Sequence, residues 1–92
     1  MATLDDADVE AAVSHLDWTR DGDALVKVVT KADFAEAMQF VNAVADMAES
    51  VNHHPDIAIS WNKVTLNLST HSEGGITQAD IDLAGGIDGL TA

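Results

Sequence analysis

The feature that most constrains this chain is a change of hydrophobic period across its single proline, Pro55. Before it, Asp33 with Glu36 three residues later forms a capping-box signature, which opens a long helix running to about Val51. Phe34, Met38, Val41, Ala45 and Ala48 step by four and three and give one core-facing stripe, which Phe40, Val44 and Val51 widen. After the proline, Ile57, Ile59 and Trp61 alternate; beyond a brief turn near Asn62-Lys63, Val64, Leu66 and Leu68 alternate again. The helix must end before Pro55, because the residue preceding a proline is pushed out of the helical region. His53-His54-Pro55 is therefore a loop between a helix and a strand.

The flanking segments complete the pattern. Thr3 with Asp6 signals a first helix through Leu16, with Val9, Ala12, Val13 and Leu16 on one face. Asp17 to Asp23 is a turn-rich connection around Trp18, where a fourth strand between Trp18 and Asp21 gives only a weak signal. Ala24 to Thr30 is a β-branched run and reads as a strand. Gly74-Gly75 marks a loop, and Thr77 with Asp80 opens a final helix with Leu83, Ile87 and Leu90 inward; Gly85-Gly86 weakens its later half. The expected fold is α+β, a small, mainly antiparallel sheet of about four strands with two to three helices packed on one face. One domain covers residues 1–92. An isolated small sheet leaves edge backbone groups unpaired, and pairing across a homodimer is one way to protect them.

Composition narrows the chemistry. The hydrophobic content of 47% is that of a globular chain, and with no cysteine there is neither a disulfide framework nor a thiolate nucleophile. No apolar run approaches the roughly 18–20 residues needed to span a bilayer. The acidic start lacks the basic and apolar regions of a signal peptide, so a cytoplasmic protein is expected. Sixteen acidic residues face only Arg20, Lys27, Lys31 and Lys63, for a net charge of −12. Such a chain repels a phosphate backbone, which argues against nucleic-acid binding. The acids are spread along the whole length. They fit either a Lys-poor surface solvated in a salt-rich cytoplasm or an acidic protein with a basic partner.

Three of the four histidines, His53, His54 and His71, lie within nineteen residues. Imidazole suits proton transfer near neutrality because its unperturbed pKa is about 6.5. Pro55 restricts the backbone of His54, and neighbours in an extended segment point to opposite sides, so the two loop rings have different jobs. His71 approaches from the end of the following strand. Glu49 lies four residues before His53, placed to orient it if the helix persists that far. Structural histidines are the bland alternative. A metal site of three histidines and Glu49 is disfavoured, because neighbouring histidines seldom share one ion and no HxH or HExxH spacing is present. Asp80 is explained by its cap, Trp18 and Trp61 are more often core than ligand platforms, and His15 reads as surface.

Glu49, three residues, His53-His54-Pro55, five residues, Trp61, nine residues, His71, eight residues, Asp80 is a signature that resembles the pterin-4a-carbinolamine dehydratase family. Asn62-Lys63-Val64, Leu68-Ser69-Thr70-His71 and Gly75-Ile76-Thr77 with Asp80 are also similar to it, as is the order of elements. The resemblance implies an enzyme that dehydrates 4a-hydroxytetrahydropterin to quinonoid dihydropterin and water, acting as a homodimer or homotetramer, with no cofactor, metal or membrane partner. It implies acid/base roles for His53 and His71, a tuning role for Glu49, and substrate binding by His54, Pro55, Trp61 and Asp80. Trp61 stands where the family often has tyrosine. The competing implication is a non-catalytic pterin-binding module or protein-dimerisation adaptor of the same fold. An exposed apolar helix face would favour the adaptor, whereas the long helix here shows one stripe, assigned to the core.

Overall fold

A computed structural model describes residues 2–91. Its elements are α1 (Asp6–Val13), β1 (Thr19–Asp21), β2 (Ala24–Thr30), α2 (Phe34–Val51), β3 (Asp56–Ser60), β4 (Lys63–Leu68), a single 3₁₀ turn (His71–Glu73) and α3 (Gln78–Thr91). The strands pair antiparallel in the order β1-β2-β4-β3. Two tight hairpins form the outer pairs. Gly22 takes the positive φ that the first turn requires, and Trp61-Asn62 closes the second between the paired Ser60 and Lys63. The central pair, Leu25 opposite Leu68 through Thr30 opposite Lys63, joins the hairpins. This is the expected α+β architecture, and the weakly signalled fourth strand is present as β1.

One face of the sheet supplies the core. Leu25 and Val29 of β2 and Val64, Leu66 and Leu68 of β4 are buried with Ala37, Phe40, Val44 and Ala48 of α2 and Leu83, Ala84 and Ile87 of α3. Residues of opposite parity, such as Val28, Lys63 and Ala58, face solvent, so the helices cover one side only. Helices α2 and α3 approach closely at Gly86, where an added Cβ would lie 2.7 Å from Met47 Sδ.

The first helix is shorter than its pattern suggests. Asp5, not Thr3, caps it by accepting from the Asp8 N–H at 2.9 Å. Leu4 is held outside by donating to the Ile76 carbonyl. In α2 the buried stripe is Ala37, Phe40, Val44 and Ala48; Phe34 is 50% exposed, Val51 57%, and Ala45 is exposed. The helix is thus turned away from the expected stripe. Its two neighbouring rows are both apolar, and contact with the sheet decides between them. An apolar flank of Phe34, Met38, Val41 and Ala45 remains exposed or only half-buried.

Trp61 also departs from expectation. The alternation of β3 ends at Ser60, and Trp61 is 64% exposed with φ at 51°. A bulky side chain in the left-handed region costs roughly 1–2 kcal/mol. Its turn is clamped from both sides, because Lys31 N–H donates to the Asn62 carbonyl at 2.8 Å and Asn62 Nδ2 donates to the Lys31 carbonyl at 2.9 Å. Trp18, by contrast, is core at 5% exposure. Its Nε1–H donates to Asp88 Oδ1 in a polar clasp that also takes in Asp17 and the buried Lys27.

Candidate active site

The C-terminus of α2 aims the first histidine. Asn52 adopts the left-handed conformation at φ 51° and ψ 43°, and His53 N–H donates back to the Ala48 carbonyl at 3.1 Å. This Schellman-type ending suits asparagine, which tolerates that region, and it turns the chain sharply after one residue. The His53 ring is thereby directed at α3, with Nε2 2.6 Å from Asp80 Oδ1. The His53 side chain is 17% exposed and Asp80 is wholly buried.

Asp80 does more than cap its helix. Its Oδ2 accepts the Thr77 N–H at 2.9 Å, which is half of the expected capping box. It also accepts the Thr70 hydroxyl at 2.8 Å. The Thr77 hydroxyl is diverted from the cap toward Thr70 Oγ1, 2.8 Å away. Thr70 precedes His71, so Asp80 links the loop bearing His53 with the one bearing His71.

Glu49 does not reach His53. It hydrogen-bonds the His54 Nε2 instead, on an exposed part of the surface. The reversal follows from Asn52: one left-handed residue after the helix breaks the spacing that would have stacked Glu49 on His53, and brings the second ring round in its place. His71 Nε2 lies 3.9 Å from Asp56 Oδ2 with both side chains exposed. That is beyond hydrogen-bond range. Each of the three histidines thus faces its own carboxylate, but only His53 and His54 are hydrogen-bonded to theirs, and ring orientation is fixed most firmly where the pair is buried, at His53.

A cleft of about 430 Å³ opens between α2 and α3 beside His53, lined by Met47, Val51, Ala79, Leu83 and Gly86. His54 and His71 do not line it. Pro55 is half-buried at the start of β3. Trp61 is not brought to the histidines within one chain: the five residues of β3 intervene, and six steps at about 3.3 Å per residue hold it roughly 20 Å from Pro55. The sequence reading missed the link between His53 and Asp80 and the two threonines behind it. The nearest local signal was the Thr77 cap, which accounts for only part of what Asp80 receives. Among the described residues, no helix is long and apolar enough to cross a membrane.

Comparison with known proteins places this chain in a family. The family model for pterin 4 alpha carbinolamine dehydratase matches residues 2–90. A protein of Thermomicrobium roseum, provisionally named a pterin-4-alpha-carbinolamine dehydratase, is 52% identical over 85 residues, covering 91% of this chain and 91% of its own. A relative of the same name from Mycobacteroides abscessus is 52% identical over 89 residues, covering 96% of this chain and 95% of its own. Among solved structures, a transcriptional coactivator/pterin dehydratase from Brucella melitensis superposes with a TM-score of 0.93 at 29% identity, covering 98% of this chain and 99% of that one. A pterin dehydratase-like protein described as a RuBisCO assembly factor in the alpha-carboxysome shares the fold at a TM-score of 0.66 and 21% identity, covering 82% and 87%. The chain belongs to the pterin 4 alpha carbinolamine dehydratase family.

Proposed function

We propose that this protein dehydrates a 4a-hydroxytetrahydropterin to the quinonoid dihydropterin and water by histidine acid/base catalysis. The observation that carries the proposal is His53 hydrogen-bonded to a wholly buried aspartate, Asp80, in a chain that belongs to the dehydratase family. Hydroxide is a poor leaving group, so the reaction needs a positioned acid to protonate the 4a oxygen as the C4a–O bond breaks. The neighbouring ring nitrogen supplies the electron pair and gives up its proton to a base. Proton transfer of this kind contributes typically about 10²–10⁴-fold. His53 and His71 share the acid and base roles, His54 holds the pterin and Glu49 steadies His54. The direct test is the rate of carbinolamine dehydration: wild type must exceed buffer, and H53A and H71A must each lower kcat/KM. No acceleration over buffer refutes the proposal.

The active assembly is a homodimer paired through β3. This edge strand, Asp-Ile-Ala-Ile-Ser, carries neither a lysine nor a proline to deter pairing. Antiparallel pairing about Ala58 sets Ile57 against the partner's Ile59, covering a side chain that is 38% exposed in one copy. The same register puts the partner's Trp61 opposite Pro55, where it adds an aromatic wall near Asp56 and His71. Sedimentation of wild type and of I59K, with the variant monomeric, is the expected result; a monomeric wild type rejects the pairing.

The apolar flank of α2 favours a second reading, a protein-binding adaptor of the same fold, because Phe34 and Ala45 are left outside the core. A stoichiometric complex abolished by F34D, in a chain without pterin turnover, would select it.

A further inference from the structure

The donors around Asp80 fix the direction of every proton in its group. A carboxylate only accepts, and a threonine hydroxyl has one hydrogen to give. Thr70 donates that hydrogen to Asp80 Oδ2 at 2.8 Å. The 2.8 Å contact between Thr70 Oγ1 and Thr77 Oγ1 must then be donated by Thr77. The result is a one-way chain from the Thr77 hydroxyl to the Thr70 hydroxyl to Asp80 Oδ2, while Oδ1 accepts from His53 Nε2–H at 2.6 Å. Thr77 and Asp80 are both wholly buried, and Thr70 and His53 are partly buried, so the carboxylate itself is shielded from water.

We propose that Thr70 and Thr77 are positioning residues whose hydroxyls lock Asp80 as the acceptor of His53 Nε2–H, leaving Nδ1 as the atom through which His53 exchanges protons. The Thr77 N–H and the Thr70 hydroxyl meet the same oxygen, Oδ2, and so settle which oxygen is left for the imidazole. Hydrogen bonds to an ionised acceptor are roughly twice as strong as neutral ones, and buried chains of them reinforce one another. The Thr70 backbone is itself pinned. Its N–H donates to the Gly75 carbonyl at 2.8 Å, and its carbonyl accepts from Glu73 N–H and Gly74 N–H at 3.0 Å each. The hydroxyl is therefore held in place by the same turn that carries His71, and a shift of that turn reaches His53 through Asp80. Loss of the Thr70 hydroxyl leaves Oδ2 with one donor, frees the carboxylate to rotate and allows His53 to exchange tautomers.

Only the step from Nδ1 to substrate rests on the dehydratase reading; the tautomer lock does not. The test uses the full ¹⁵N-labelled chain without ligand, with ring nitrogens read by NMR on the neutral imidazole. Wild type is expected to carry the His53 proton on Nε2 with Nδ1 bare. In T70V, which keeps the shape and removes the hydroxyl, the two nitrogens are expected to average. The expected kcat of T70V falls on the order of tenfold, a share of the about 10²–10⁴-fold that positioned proton transfer supplies, with KM within about twofold. T70S recovers both readouts. T77V removes only the outer donor and is expected to cost less than about threefold in kcat. A wild-type proton on Nδ1, or a folded T70V with wild-type ring shifts, overturns the proposal. Should T70V fail to fold, the wild-type spectrum and T77V decide it: a proton on Nδ1, or a larger loss in T77V than in H53A, overturns the lock. A chain with the stated tautomer and no turnover refutes the dehydratase reading and leaves the lock standing.

Discussion

Replacing Lys27 with methionine tests the polar clasp that ties the chain after α1 to the end of α3. The Lys27 side chain is 4% exposed, and Nζ lies 2.9 Å from Asp17 Oδ2 and 2.9 Å from Asp88 Oδ1. It also donates to the Asp17 carbonyl at 3.1 Å. The two partners are unequal. Asp17 is 93% exposed and contributes as a surface pair, at most about 1 kcal/mol. Asp88 is 21% exposed, and a hydrogen bond to such a charged group contributes roughly 1.5–3 kcal/mol. Once Lys27 is gone, Asp88 still accepts from Trp18 Nε1–H and Asp17 N–H, each at 2.9 Å, so it is not orphaned. Relief from burying an ammonium offsets part of the loss. The net cost is about 2 kcal/mol, below the roughly 3–5 kcal/mol of a fully stranded buried charge. For a chain of this size that lowers Tm by about 8–16 °C.

The same residue gives the pH dependence. Burial opposes the charge on Lys27, but hydrogen bonds to Asp17 and Asp88 and their negative charges outweigh it, so its pKa stands above the usual 10.5. A folded-state value above the unfolded one makes the contribution complete below about pH 10.4. It is then lost as pH climbs through the folded value. Thermal melts of wild type and K27M at fixed salt should therefore differ most at neutral pH and converge in alkali as pH climbs through the raised folded-state value. A Tm difference under about 3 °C at pH 7, or one that persists unchanged in alkali, refutes the reasoning.

Three further outcomes follow from named positions. At Gly85 an added Cβ meets only Leu16 Cδ2 at an ordinary 3.8 Å, so G85A should stabilise by about 0.5–1 kcal/mol through helix propensity, read by urea titration. Asn52 holds a left-handed helix end, so N52A should cost about 1 kcal/mol while N52G holds wild-type stability, and only N52A should disturb the His53 ring signals. With a net charge of −12, Tm should rise between 10 mM and 1 M salt as the screening length falls from about 30 to 3 Å; an unchanged Tm counts against self-repulsion as a stability term.

Much of this fold is written in local patterns. Asp33 and Glu36 mark the start of α2, Pro55 demands its end, and the alternation of Val64, Leu66 and Leu68 selects the face of β4 that is buried. What escapes the sequence is nonlocal. Two adjacent apolar rows on α2 meet at Ala48, and only the sheet chooses between them. Trp61 satisfies strand periodicity, yet a clamp from Lys31 turns it into solvent. Glu49 is correctly spaced for His53 until Asn52 reverses the chain. His53 and Asp80 stand 27 positions apart, and their pairing depends on α2 and α3 packing together. Lys27 looks like one more strand residue, and its partners come from a loop and the far end of α3.

The strand order has a kinetic consequence. Both outer strand pairs are hairpins of near neighbours, which form in about 1–10 μs, and α2 is a continuous local helix. Joining β2 to β4 instead requires residues as distant as Leu25 and Leu68 to find each other around the intervening α2 and β3. Loop-closure entropy is paid before those contacts form. The slow step of folding is therefore the closing of the sheet's central seam. Substitutions in the Gly22 turn, which forms before that step, should therefore slow folding, whereas L66A in the seam should divide its effect between slower folding and faster unfolding.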